Sequence, residues 1–307
     1  MASERRGTAP AVPDGALGEA LSSGELLQIL VNGILLGGIL ALVAVGFSLV
    51  WGIMNIVNLA HGALIVLGAY LTFGLHALGI DPFVSIPISM AALFLLGYAI
   101  QRLLINQILR APLLATFLLT FGLEILIVNL LNFFFKADLR SVTTSYTGTG
   151  FTLGPVRVPL VRLAALGVSL ALVAALGVFM KRTRTGRAIR ATGMDIDAAR
   201  LTGVRVAGVY AVTFAIGASL AGAAGSLLSL SVPFDPTFGG SYTLRAFVIC
   251  VLGGLGNVGN VVFGATIFAF VEVLVGSRYP EVSQAVTFGM LVVLLLLRPR
   301  GVAGKPA

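Results

Sequence analysis

The chain has 307 residues, of which 58% are hydrophobic and only 10% charged, with a mean hydropathy of +1.03. That balance excludes a water-soluble globular domain, which would have to expose large apolar patches. The net charge of +8 comes from basic residues placed between apolar segments and not from one soluble face, so it reads as a device for orientation in a bilayer and speaks against nucleic acid as a partner.

The expected fold is all-α, a polytopic transmembrane bundle of eight to ten crossings, some of them broken or re-entrant. Each crossing takes roughly 20 mostly apolar residues, and continuous runs exclude the alternating strands of a membrane barrel. Residues 1–25 are polar, lack the apolar core of a secretory signal and read as a disordered tail. Apolar segments follow at Leu26–Val50, Gly62–Ile80, Phe83–Ile100, Pro112–Phe135, Pro159–Met180, Val206–Ser231, Ala246–Gly276 and Val282–Leu297. A transmembrane domain over 26–300 and a short tail over 301–307 complete the expected organisation. Ala246–Gly276 is too long for one untilted helix and is interrupted by Gly253, Gly254, Gly256 and Gly259. It is read as a re-entrant hairpin or two short passes.

Charge bias places Lys181–Arg205 inside, the segment 136–158 outside and the loop with Arg102 and Arg110 inside. With Arg5 and Arg6 also inside, the first three apolar segments must give an even number of crossings, which makes Gly52–His61 a broken or re-entrant element. Arg298, Arg300 and Lys305 likewise favour an inside carboxy terminus. Each half then holds one long span followed by a broken region, the pattern of an internal repeat. Gly33 and Gly37, and Gly217, Ala221 and Gly225, recur at spacing four, which lets helix backbones approach closely where lipid offers no hydrophobic drive to associate.

Asn55, Asn58 and His61 recur at spacing three, which on a continuous helix puts them on one face at membrane depth. They read either as an interhelical hydrogen-bond cluster or, with Gly62, as a lining of a translocation path. Gly253, Gly254 and Gly256 are path candidates through carbonyls and amides freed by a backbone break. Gly254-Leu-Gly256-Asn-Val-Gly259 matches a dinucleotide fingerprint by letter only, since the strand, helix and aqueous site that motif needs are missing. No metal site is expected, because His76 is the only other histidine and no carboxylate flanks His61. Nor is any catalytic group or cofactor expected. Glu124 and Glu272 stand alone in apolar spans, where burial favours the protonated form or a partner on another helix. Arg162 and Arg245 read as residues near span ends whose heads reach water. Cys250, the single cysteine, can form no intrachain disulfide.

The most distinctive stretch is Lys181–Arg205, which gathers seven of the chain's 20 basic residues. A short helix is expected from Arg184 to Thr192, broken at Gly193. A second begins at an Asp195 cap and ends at Gly203, with Ile196, Ala199 and Gly203 on one side opposite Asp197 and Arg200. Such a compact amphipathic element suits a groove on a soluble cytosolic protein.

Three segments together carry a family resemblance: GILLGGILALVAVGFSLVWGIMNIVNLAHGALIVLGAYL (33–71), GRAIRATGMDIDAARLTGVRV (186–206) and VLGGLGNVGNVVFGA (251–265). They resemble the branched-chain amino acid ABC transporter permease family, of the LivH type. The resemblance implies a multi-pass prokaryotic plasma (inner) membrane protein surrounded by membrane lipid. It implies a second homologous permease subunit, two cytosolic ATP-binding cassette ATPases and an extracytoplasmic substrate-binding protein as partners. It also implies that Arg187, Ala188, Arg190, Ala191, Asp195, Ala199, Leu201 and Gly203 form the segment that engages the ATPase, and that Asn58, Ala60, His61 and Gly62 match the family's early Asn-x-Ala-His-Gly signature. No Walker A motif is present, so hydrolysis must come from a partner. Related permeases carry urea, short amides or other small polar solutes. A stand-alone channel or a proton-coupled carrier working through Glu124 or Glu272 is the rival of a different class.

Overall fold

The computed structural model describes residues 22–108, 111–254, 258–282 and, beyond these, 285–286, 289–290, 292–293 and 296. The chain elements are α1 (Ser23–Met54), α2 (His61–Ala77), α3 (Pro82–Ile100), a π turn (Gln101–Ile105) running on into α4 (Asn106–Ile108), and α5 (Leu113–Phe135). They continue with β1 (Gly150–Leu153), β2 (Val156–Pro159), α6 (Leu160–Arg182), α7 (Arg184–Met194), α8 (Ile196–Leu201), α9 (Val206–Ser229), α10 (Gly239–Gly253) and α11 (Val258–Arg278). Among the described residues, six helices are long and apolar enough to cross a membrane, and α2 and α10 are shorter apolar helices. Half of the expected span Val282–Leu297 and all of the tail 301–307 lie outside the described residues, as do Arg110, Gly256, Arg298, Arg300 and Lys305.

The helix α1 begins at a capping box: the Ser22 hydroxyl accepts from the Glu25 amide at 3.2 Å and the Glu25 carboxylate accepts from the Ser22 amide at 2.9 Å. This corrects the expected tail boundary, because Ser22–Glu25 already belong to the helix start. At 32 residues, α1 is about 48 Å long, and every residue from Ile39 to Val50 is buried. A helix apolar all round has no solvent face and belongs inside a bundle. Together with α9, it forms the centre; α3, α5, α6 and α11 surround them and present many apolar side chains outward.

Small residues set the spacing at that centre. Gly33 and Gly37 of α1 lie against Phe270 and Thr266 of α11, where an added β-carbon would stand 3.2 Å from each Cα. Gly217 of α9 meets Gly46 of α1, and Gly222 of α9 lies at Gly68 of α2.

The side each end occupies follows from contacts. The antiparallel hairpin β1–β2 pairs Gly150 with Pro159 and joins α5 to α6. Gln28 near the start of α1 exchanges two hydrogen bonds with the Arg157 backbone of that hairpin, at 2.8 and 3.0 Å. The other end of α1, at Gly52 and Ile53, touches Gly193 of the basic island. Thus α1 runs from the hairpin side to the basic-island side, the ends that the charge bias of the sequence assigns as outer and inner. This corrects the expectation that residues leading into α1 share the Arg102 side: the described start of α1 lies opposite to it.

Asn55 ends α1 in the left-handed region at φ 53°, residues 55–60 are non-helical, and α2 starts at His61. The break expected between Gly52 and His61 is present. The single helical face expected for Asn55, Asn58 and His61 is not, because the spacing of three spans a helix end instead of a helix.

At the other half, the long apolar run forms two helices. Gly254, at φ 78°, ends α10, and Gly253 packs tightly on the Asn260–Val261 backbone of α11. Since α11 lies antiparallel to α1, its end at Arg278 returns to the outer side. On that same side Phe234, ahead of α10, exchanges backbone hydrogen bonds with Arg140 at 2.8 and 2.9 Å. The region thus forms an antiparallel helical hairpin, whose second arm, α11, is itself long and apolar enough to cross a membrane. Each long central helix is therefore followed by a break and a short helix, and α2 and α10 meet at their N-terminal ends, Gly62 against Gly239.

Candidate functional site: the inner cavity and the basic island

The island is two capped helices. Thr183 accepts from the Gly186 amide at 2.9 Å to cap α7, and Asp195 accepts from Asp197 and Ala198 amides, each at 2.9 Å, to cap α8. Gly193 does not break α7, which runs on to Met194. Its missing side chain instead admits Ile53 from the end of α1. Gly186 similarly lets α7 fold back onto the Phe179–Met180 backbone of α6. Gly203, at φ 82°, closes the turn after α8.

Those contacts give α7 two faces. Gly186, Ile189 and Thr192 are buried against the bundle. Arg187, Arg190, Ala191 and Met194 stand at the i, i+3, i+4, i+7 positions of the opposite face and are exposed. Met194 at 88% and Leu201 at 90% exposed are the barest large apolar side chains among the described residues. Leu201 is among the residues the family resemblance implies; Met194 is not, although its heptad relation to Arg187 is legible in the sequence. Asp195 and Gly203 are also exposed, while Ala188 is half-buried. Ala199 is a correction: at 3% exposed it faces its own chain, because the Asp195 cap turns that side of α8 toward α9, and it has no surface left for a partner.

Behind the island lies a cavity of about 1540 Å³ at the inner end of the bundle. Its lining includes Asn55 from the break after α1, Arg102 and Asn106 from the π turn and α4, Arg184 and Ala188 of α7, and Arg200 of α8. The π turn holds this wall in place, with buried Gln101 donating to Asn106 at 3.0 Å. Arg102 and Arg200 read in the sequence only as charge markers; their convergence is tertiary.

Of the path candidates, only Asn55 lines this cavity. Asn58 and His61 are buried. His61 Nε2 pairs with the Val43 carbonyl at 3.0 Å, and its ring stands edge-on to Phe47. The Gly62 amide donates to Thr243 Oγ1 at 2.8 Å. Gly253 and Gly254 are buried at the α10–α11 turn; Gly256 lies outside the described residues.

Glu272, expected to seek a partner on another helix, has one: its Oε1 sits 2.7 Å from Arg245 Nη2. Arg245 is accordingly not a span-end residue with its head in water. It lies inside α10, held by a carboxylate on α11. Glu124 is half-buried on α5 near Gly240. Among the described residues no cluster of three or more His, Cys, Asp or Glu could hold a metal ion.

Comparison with known proteins places the chain. The family described as branched-chain amino acid transport system / permease component matches residues 29–295. The high-affinity branched-chain amino acid transport system permease protein BraD of Pseudomonas aeruginosa is 30% identical, over 91% of this chain and 96% of its own. The corresponding protein LivH of Escherichia coli is 29% identical with the same coverage. LivM of Salmonella typhimurium, also a permease protein of such a system, is 27% identical over 85% of this chain and 66% of its own. With the family matched over most of its length and a membrane-spanning helical bundle around a broken core, this chain belongs to the permease components of the branched-chain amino acid transport systems.

Proposed function

We propose that this chain is the permease subunit of a binding-protein-dependent ABC importer for branched-chain amino acids, residing in a prokaryotic inner membrane with residues 26–300 as its transmembrane domain. Its partners are a second, related permease, two cytosolic cassette ATPases and an extracytoplasmic binding protein. The names of BraD, LivH and LivM support the cargo and the paired permease.

One observation carries the coupling role of residues 181–205: α7 has one face fixed to the ends of α1 and α6 and the other bare. A partner pressing on Arg187, Arg190, Met194 and Leu201 moves a lever whose inner face, through Ala188, is also a wall of the cavity. Arginines give orientation and on-rate to such a contact, and the two apolar side chains give buried area. ATP-driven closure of the cassettes is thereby transmitted to the inner end of the bundle.

The test is reconstitution in liposomes with and without the cassette ATPases. Uptake of leucine only when ATPase and ATP are both present supports the reading. Uptake without them would establish a channel or secondary carrier instead.

A further inference from the structure

The Arg245–Glu272 pair differs from a structural ion pair in three respects. It lies between the two apolar helices of the α10–α11 hairpin, with Glu272 six residues, about 9 Å, before the end of α11. Charge at such a place requires water or protein beside it, because facing acyl chains is costly. The pair is not fully enclosed by its own chain: the two side chains keep 18% and 14% of their surface.

The pair is also unsaturated. Arginine–carboxylate pairs frequently close as a fork that uses both oxygens. Here Glu272 Oε1 takes the arginine, while Oε2 is buried with no hydrogen-bond partner. Arg245 has five donors to offer; its guanidinium meets Oε1 and the Tyr242 hydroxyl and stands 4.7 Å from the Tyr242 ring centroid. A buried acceptor without a partner and the remaining donors of a guanidinium thus stand side by side.

The third respect is that the pair bridges α10 and α11, the two regular helices on either side of the backbone break at Gly254. Irregular backbone at membrane depth is tolerated where it is buried in protein or lines an aqueous cavity. Interrupted helices of this kind frame the solute sites of many transporters.

Resting on the permease reading, we infer that Arg245 and Glu272 form a subsite for a small zwitterion: the ammonium of the solute binds Glu272 Oε2 and its carboxylate binds the free edge of the Arg245 guanidinium. A neutral amide or urea brings neither charge and does not match the pair, so the subsite separates amino acids from the neutral solutes that related permeases carry. The pair is closed when empty and opens around its ligand, which lets its own charges stay compensated in both states.

The test has two arms. In cells carrying the intact transport system, leucine uptake is measured with Arg245→Gln, Glu272→Gln and the exchange Arg245→Glu with Glu272→Arg, each at matched membrane level. Uptake is expected to fall at least tenfold in all three. Recovery of wild-type uptake by the exchange, or no loss in either single variant, would assign the pair to packing alone. In the second arm, the unaltered purified chain in nanodiscs is heated with leucine, leucinamide or isocaproate; leucine, carrying both charges, is expected to raise the melting temperature more than either analogue. Equal shifts from all three overturn the subsite. Leucine uptake that persists with ATP hydrolysis blocked, yet still fails in the variants, would sink the ABC reading and leave the subsite standing.

Discussion

Gly225 of α9 and Ile65 of α2 approach so closely that the Ile65 carbonyl oxygen occupies the space a β-carbon at residue 225 would fill. Gly74, on the same α2 helix, has nothing within 4 Å of that position. Gly225→Ala is therefore expected to lose roughly 2–3 kcal/mol or to fail to assemble, whereas Gly74→Ala changes little. Thermal unfolding of the two variants in nanodiscs decides; equal melting temperatures would show that α2 and α9 are not packed this way.

The junction of the two short helices makes a second prediction. Thr243 of α10 accepts the Gly62 amide at 2.8 Å, and Gly62 has no room to turn elsewhere because Gly239 abuts it. Thr243→Val keeps the shape and removes the acceptor, leaving a buried donor unsatisfied at a cost of about 1–3 kcal/mol. Thr243→Ser is expected to restore most of that stability, and a serine variant no better than valine would refute the hydrogen bond as the cause.

Surface chemistry on the island separates docking from folding. Met194 and Leu201 are nearly bare, so Met194→Ser and Leu201→Ser remove almost no packing within the chain. Co-purification of the cassette ATPase and leucine uptake are expected to fall at least tenfold, about 1.4 kcal/mol of docking energy, at an unchanged melting temperature. A drop in stability of the isolated chain, or intact co-purification, would count against the docking face.

Asp195 holds two amides of α8. Asp195→Ala is expected to cost the cap about 1 kcal/mol and to speed amide exchange across residues 196–201 while leaving α6 and α9 protected. Exchange that rises equally along α9 would mean the cap supports the bundle and not the short helix alone.

Sidedness is directly measurable, since Cys250 is wholly buried and gives little background. A membrane-impermeant maleimide applied to intact cells is expected to label Leu153→Cys, on the β1–β2 hairpin, and to reach Met194→Cys only after permeabilisation. The reverse pattern would invert the chain and remove the coupling role from the basic island.

The amino-acid sequence by itself determined the membrane class, the positions of most helices to within a few residues, the basic island and its Asp195 cap. These are local matters: a run of apolar residues must leave water, and a carboxylate before a helix must find its amides. The sequence also carried the break after α1, but it could not say that the break parts Asn55, Asn58 and His61, because spacing three marks one face only while the helix continues. Gly193 showed the same ambiguity from the other direction; as a letter it breaks a helix, and in place it makes room for Ile53.

Only the tertiary structure decided which small residues touch, that the α10–α11 region turns back to its own side, that Ala199 faces inward, and that Arg245 finds Glu272. All four depend on which faces of distant helices meet. In lipid that choice is made by close backbone fit and by the need of each buried charge or amide for a partner, quantities that no single segment holds alone.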